Sequence, residues 1–131
     1  MSIDDRLTRG MANRREVLGD EYVDAARRRT GGFDKEFQDF VTEYAWGTVW
    51  DRPGLPRSVR SLLNIAMLSA LNRPAELELH MRSAFRNGAE RAEIEEVILQ
   101  VGVYCGLPAA VEALKTLHLV SEDETATAAA E

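Results

Sequence analysis

Residues 56–71, PRSVRSLLNIAMLSAL, decide how the rest of the chain is read. Pro56 suits the first turn of a helix, where a missing N–H costs nothing and a fixed φ is already helical. No period-two alternation follows it, and LLNIAMLSAL at 62–71 is apolar nearly all round. A helix without a wet face is buried on all sides. Arg57, Arg60 and Asn64 interrupt it at i, i+3 and i+7, so they share one stripe. Either that stripe faces water, or it lines a polar cavity where guanidinium groups meet carboxylates.

Working outward, helical punctuation recurs and strand patterns do not. Downstream, Pro74 opens a helix that Asn87–Gly88 terminates. Residues 90–105 form another, rich in Ile94, Val97, Ile98, Leu99, Val101, Val103 and Tyr104. Pro108 starts a last helix to about Val120, and the tail SEDETATAAAE at 121–131 is expected to fray as a disordered segment. Upstream, Ser2 with Asp4 and Asp5 opens a first helix that Gly19 can close. Residues 20–29 make a short helix ending at Gly31–Gly32. Asp34 suits the N-cap of a helix carrying Phe37, Phe40, Val41 and Tyr44, which fades near Gly47 before the turn DRPG at 51–54. The expectation is an all-α fold, a compact bundle of about six to seven helices, in a single domain over residues 1–120. Two helices apolar on most faces exceed what a small monomer needs, which favours a homo-oligomer.

Composition narrows the function. The chain has 131 residues, 45% of them hydrophobic, an ordinary globular balance with room for a core. A net charge of −6 speaks against nucleic acid as a partner, since such binders present a basic face. An anionic substrate would therefore be held by local arginines and not drawn in by the bulk field. No run approaches the roughly 18 apolar residues of a membrane span. The N-terminus MSIDDRLTRG has no apolar signal core, and a lone Cys105 fits a reducing compartment. A soluble cytoplasmic protein is expected.

His80 carries the most chemistry. Leu77, Met81, Ala84 and Phe85 form the apolar stripe of its helix, and its spacing from Leu77 and Ala84 turns it inward, while Glu78, Arg82 and Arg86 face out. A buried imidazole stays neutral, since desolvation disfavours its charged form. It can then shuttle protons, bind a metal or satisfy a core hydrogen bond; from the residues alone the core role is the commoner. A metal site is not expected, because His118 is on another helix and no cluster has ligand spacing. Glu76, one turn before His80, could orient it. Cys105 has no histidine near it in sequence and reads as packing. Arg52 and Arg73, at the turn and at the start of the His80 helix, join Arg60 as carboxylate-binding candidates. Tyr44, Trp46 and Trp50 precede the turn, either as core anchors or as a ligand wall.

The order YAWGTVW at 44–50, DRPGL at 51–55, RSLLNIAMLSAL at 60–71, ELELH at 76–80, RNG at 86–88, EIEEVILQ at 93–100 and YCGLPAA at 104–110 resembles the 4-carboxymuconolactone decarboxylases (γ-carboxymuconolactone decarboxylases). RREVLGDEYVDAA at 14–26 adds to the resemblance, which spans nearly all of the chain except its tail. It implies an alkylhydroperoxidase D-like helical fold and a homo-oligomer, commonly a hexamer. It implies conversion of 4-carboxymuconolactone to 3-oxoadipate enol-lactone and CO2, without a cofactor, in the β-ketoadipate route of protocatechuate breakdown. The peroxidases of the wider superfamily carry Cys-x-x-Cys four residues before the histidine. Arg73 and Glu76 stand at those positions, and Ser61 near their upstream glutamate, so thiol chemistry has no attacking or resolving pair. Thr48 stands where the decarboxylases are expected to carry an acidic residue.

On that resemblance His80 is the catalytic candidate, with Arg52, Arg60 and Arg73 for the substrate's charges and Trp46, Trp50 and Tyr104 as an apolar wall. Two other readings stay open. One is a related enzyme acting on another lactone or keto acid; the other is a non-catalytic helical oligomer that binds a ligand.

Overall fold

The computed structural model describes residues 1–28 and 31–130, with side chains through residue 123. Every regular element among the described residues is helical, and no strand occurs among them. The chain divides into two compact units, Met1–Arg57 and Ser58–Glu131.

The first unit opens with α1 (Ile3–Leu18). Its start follows from a reciprocal cap: Ser2 Oγ accepts from the Asp5 N–H at 3.1 Å, and the Ser2 N–H donates to the Asp5 carboxylate at 3.3 Å. Those bonds hold the Asp5 carboxyl below its usual range. Gly19 ends α1 and α2 (Asp20–Arg27) follows at once. The expected end of that helix at residue 29 lies outside the described residues.

The next helix differs from the sequence reading in two ways. α3 (Phe33–Val41) begins one residue before Asp34, with Gly32 at its N-cap and no side-chain cap. It also does not fade at Gly47. It continues without a break as a π-helix, Thr42–Val49, before the turn around 50–55.

This segment packs closely on α1. A Cβ on Gly47 would collide with the carbonyl of Arg6, and one on Gly10 with the carbonyl of Thr42. The two backbones therefore meet face to face through paired glycines. Trp46 and Trp50 stack beside that contact, ring centroids 4.9 Å apart, both buried with Val17, Leu18 and Val23. Polar groups complete the joint. Asn13 Nδ2 donates to the Trp46 carbonyl at 2.9 Å and to Asp51 Oδ1 at 3.0 Å, and Arg9 pairs with Asp51 at 2.7 Å. Arg14, buried, donates to Thr42 Oγ1 at 3.2 Å. In contrast Phe33, Phe37, Phe40 and Tyr44 stay more than half exposed along one face.

α4 (Arg57–Ala70) leads into the second unit, which continues with α5 (Pro74–Arg86), α6 (Arg91–Cys105) and α7 (Leu107–Ala130). Pro74 occupies the first turn of α5, as its missing N–H allows. Gly106, at φ +101°, is the single residue between α6 and α7, a conformation that an L side chain rarely adopts. α7 does not stop near Val120: it runs on to Ala130, through a segment rich in good helix formers. The core is Ile65 from α4, Leu77, Met81 and Ala84 from α5, Ile94 and Ile98 from α6, and Ala113, Leu117 and Val120 from α7.

α4 and α6 are not buried all round, contrary to their apolar sequences. Ser61, Ile65 and Ser69 face in on α4, while Leu63 and Met67, and Leu71 just past its end, are exposed. On α6, Ile94, Ile98 and Val101 are buried, while Leu99, Val103 and Tyr104 are exposed.

Candidate active site

His80 occupies the middle of α5, flanked by the fully buried Met81 and one turn from Leu77 and Ala84. The same apolar spacing that docks α5 on the core carries the imidazole into a half-buried position, as the sequence pattern predicts. Burial pushes the ring below its ordinary pKa, against a weaker opposing pull from the Glu76 carboxylate. The neutral ring is therefore the resting form at neutral pH.

Its hydrogen-bond partner comes from another helix. Asn64 Nδ2 on α4 lies 3.3 Å from His80 Nδ1. Glu76, the orienting residue considered from sequence, acts on the ring through its charge. Arg60 precedes Asn64 by one turn on the same face of α4 and is half-buried. A guanidinium, a carboxamide and an imidazole are thus carried by two helices packed on one core. A second polar tie joins those helices, where Asn87 Nδ2 donates to the buried Ser61 hydroxyl at 3.3 Å.

The stripe Arg57–Arg60–Asn64 is put to separate uses. Arg57 turns to the first unit, where it pairs with Glu16 and donates to Asn13 Oδ1. Asn64 turns to the histidine. That pairing was the main omission of the sequence reading. Asn64 was visible as a polar break in an apolar helix, but no local signal shows which residue of another helix faces it.

The other candidates occupy different places. Tyr104 is 81% exposed and, with the exposed Cys105, lines an apolar groove of about 320 Å³ with Val59, Leu62, Val97 and Val101. Cys105 is thus at the surface and not packed in a core. Arg73, exposed, donates to the Leu71 carbonyl at 3.4 Å and lines a second cavity of about 300 Å³ with Pro74, Pro108 and Glu112. His80 lines neither cavity. In the first unit Trp46 and Trp50 are core anchors, and Arg52 is exposed on the turn, its N–H bonded to the Val49 carbonyl at 3.1 Å. Thr48 is exposed on the π-helix and donates to the Glu43 carbonyl at 3.0 Å. Among the described residues no three His, Cys, Asp or Glu side chains converge as a metal site would require.

Comparison with known proteins identifies the family. The sequence profile of the Carboxymuconolactone decarboxylase family matches residues 35–118, which include Arg60, Asn64 and His80. The chain is 42% identical over 123 residues to a 4-carboxymuconolactone decarboxylase of Acinetobacter baylyi, an alignment covering 94% of this chain and 92% of that protein. It is 46% identical over 105 residues to a nitrosuccinic acid decarboxylase of Metarhizium robertsii, covering 80% and 73% respectively. A 4-carboxymuconolactone decarboxylase of Pseudomonas putida matches over 42 residues at 43% identity, 32% of this chain and 88% of that sequence. The long shared profile and the near full-length likeness establish that the chain belongs to the carboxymuconolactone decarboxylase family.

Proposed function

We propose that this protein decarboxylates 4-carboxymuconolactone to 3-oxoadipate enol-lactone and CO2 without a cofactor, as a step of protocatechuate breakdown by the β-ketoadipate route. The observation that carries the reading is the half-buried His80, held by Asn64 one turn from Arg60. The 42% identity over 94% of the chain supports the substrate.

The substrate supplies its own electron sink. Its carboxylate sits on the ring carbon attached to oxygen, conjugated through the ring double bond to the lactone carbonyl. When the C–CO2 bond breaks, its electron pair forms a new ring double bond, and the existing one shifts its pair toward the carbonyl oxygen. The product is an oxyfuran-like dienolate, so a group such as pyridoxal phosphate or thiamine is not required. A proton then adds to the carbon next to the carbonyl. The protein must anchor the acetate arm, stabilise the oxyanion and see the proton delivered. His80 serves the developing oxyanion or the proton. Arg60 anchors a carboxylate, with Arg52 and Arg73 as further candidates. The departing carboxylate loses charge more easily against apolar side chains; Trp46 and Trp50, buried in the core of the first unit, do not supply that wall.

A second reading has its own support, the 46% identity to a nitrosuccinic acid decarboxylase. The chemistry is related: the pair left by CO2 would delocalise into a nitro group, and the same donor would stabilise it. The exposed Thr48, where an acidic residue is expected, is a place where substrate preference could differ.

The exposed apolar faces of α4 and α6 support assembly of identical chains, for which a hexamer is proposed, in the cytoplasm. No helix among the described residues is long and apolar enough to cross a membrane. Side-by-side measurement of kcat/KM on 4-carboxymuconolactone and nitrosuccinate decides the substrate. The lactone is expected to be turned over faster by at least about tenfold, about 1.4 kcal/mol of transition-state preference; a preference for the nitro acid would overturn the assignment.

A further inference from the structure

We propose that Asn64 is a positioning residue that locks His80 in the Nε2–H tautomer, making the neutral imidazole a hydrogen-bond donor to the oxyanion and not the source of the product's proton. The tautomer rests on the orientation of the Asn64 carboxamide toward the ring; its use in catalysis rests on the decarboxylase reading above.

A carboxamide nitrogen can only donate. With Asn64 Nδ2 at 3.3 Å from Nδ1, the ring nitrogen facing it must be the acceptor, and the single proton of the neutral ring is left on Nε2. The geometry is held from both sides. Asn64 is followed on α4 by the fully buried Ile65, His80 on α5 by the fully buried Met81, and these side chains belong to one core. The hydrogen bond from Asn87, at the end of α5, to Ser61 ties the same two helices one turn before Asn64 on α4. These contacts fix the two backbones from which Asn64 and His80 project.

The residue type matters as much as the distance. A carboxylate at position 64 would accept from Nδ1–H, turn the ring to the other tautomer and favour imidazolium. A carboxamide does the reverse. Burial of the ring works in the same direction. A neutral Nε2–H is a poor acid but a sound hydrogen-bond donor, suited to an oxygen that gains charge as CO2 leaves. The electron pair of the broken C–CO2 bond forms the new ring double bond, and the displaced charge ends on the lactone carbonyl oxygen, which accepts from Nε2–H without proton transfer. The proton that completes the product adds to the ring carbon from solvent water, which leaves as hydroxide to the solvent, and His80 is unchanged over the cycle.

The test is ¹⁵N NMR of the full chain labelled at histidine, at about pH 8, well above the ordinary imidazole range, with His118→Gln used to assign the two rings. The expected wild-type spectrum shows His80 Nδ1 unprotonated and Nε2 protonated; an Nδ1–H ring or an even mixture would overturn the proposal. Asn64→Asp should move the proton to Nδ1 and lower kcat about 10²-fold with KM little changed. Asn64→Leu should give mixed tautomers and an intermediate rate. Full activity in Asn64→Asp with the tautomer switched would also overturn it. The wild-type spectrum stands apart from turnover: an inactive wild type with the Nε2–H ring would defeat the assigned reaction and leave the tautomer lock intact.

Discussion

At the scale of the residue, the account rests on His80. Replacing it with Ala removes the Nε2–H donor, and kcat should fall about 10²-fold, the usual cost of losing one oxyanion donor. Circular dichroism alongside the rate assay checks that the variant is folded. The same ring makes a prediction about stability. Its folded-state pKa lies below that of the unfolded chain, so just below about pH 6.5 the unfolded chain binds a proton that the folded one refuses. Stability should not depend on His80 well above that pH and should be lost as pH falls through it. Thermal unfolding at about pH 7.5 and about pH 5.5 measures this against the ordinary imidazole value. The wild type should lose more Tm than His80→Gln between the two, and equal losses would show that the ring is not held neutral by the fold.

At the scale of the element, most boundaries were legible because their causes are local. Ser2 and Asp5 cap each other three residues apart, Pro74 starts its helix with its own ring, and Gly19 ends one. The π-helix was not legible. It lies at the close approach of α1, and Gly10 and Gly47, 37 positions apart, show their purpose only when the two backbones are brought together. Asn64 was half legible: the polar stripe marked it, and only the packing of α4 against α5 showed that it faces His80. The aromatic stripe Phe33–Phe37–Phe40–Tyr44 has the spacing of a buried face and is exposed, because periodicity shows that side chains share a face and not what covers it. Gly47→Ala tests the glycine joint. A methyl group there has backbone to displace, so unfolding in urea should show a loss of about 1–3 kcal/mol or more. Gly54→Ala, with nothing within 4 Å of its would-be Cβ, should stay within about 0.5 kcal/mol. Equal effects would contradict the close-approach account.

At the scale of the whole molecule, the fold class was readable and the surface was not. Apolar residues all round α4 and α6 signalled burial beyond what one chain supplies, and Leu63, Met67, Leu99 and Val103 are indeed left exposed. If identical chains cover them, Val103→Glu should lower the mass measured by light scattering while leaving helix content unchanged; an unaltered mass would place the interface elsewhere. Arg73 and Glu76 precede His80 where a cysteine pair would be needed for thiol chemistry, and the substrate's own conjugation makes a cofactor unnecessary for the proposed reaction. That claim has one direct measurement: CO2 release and loss of lactone absorbance with freshly generated 4-carboxymuconolactone and purified protein, with and without a metal chelator. The account predicts turnover at the same rate in both. Loss of activity on chelation, or no turnover by well-folded protein, would contradict it.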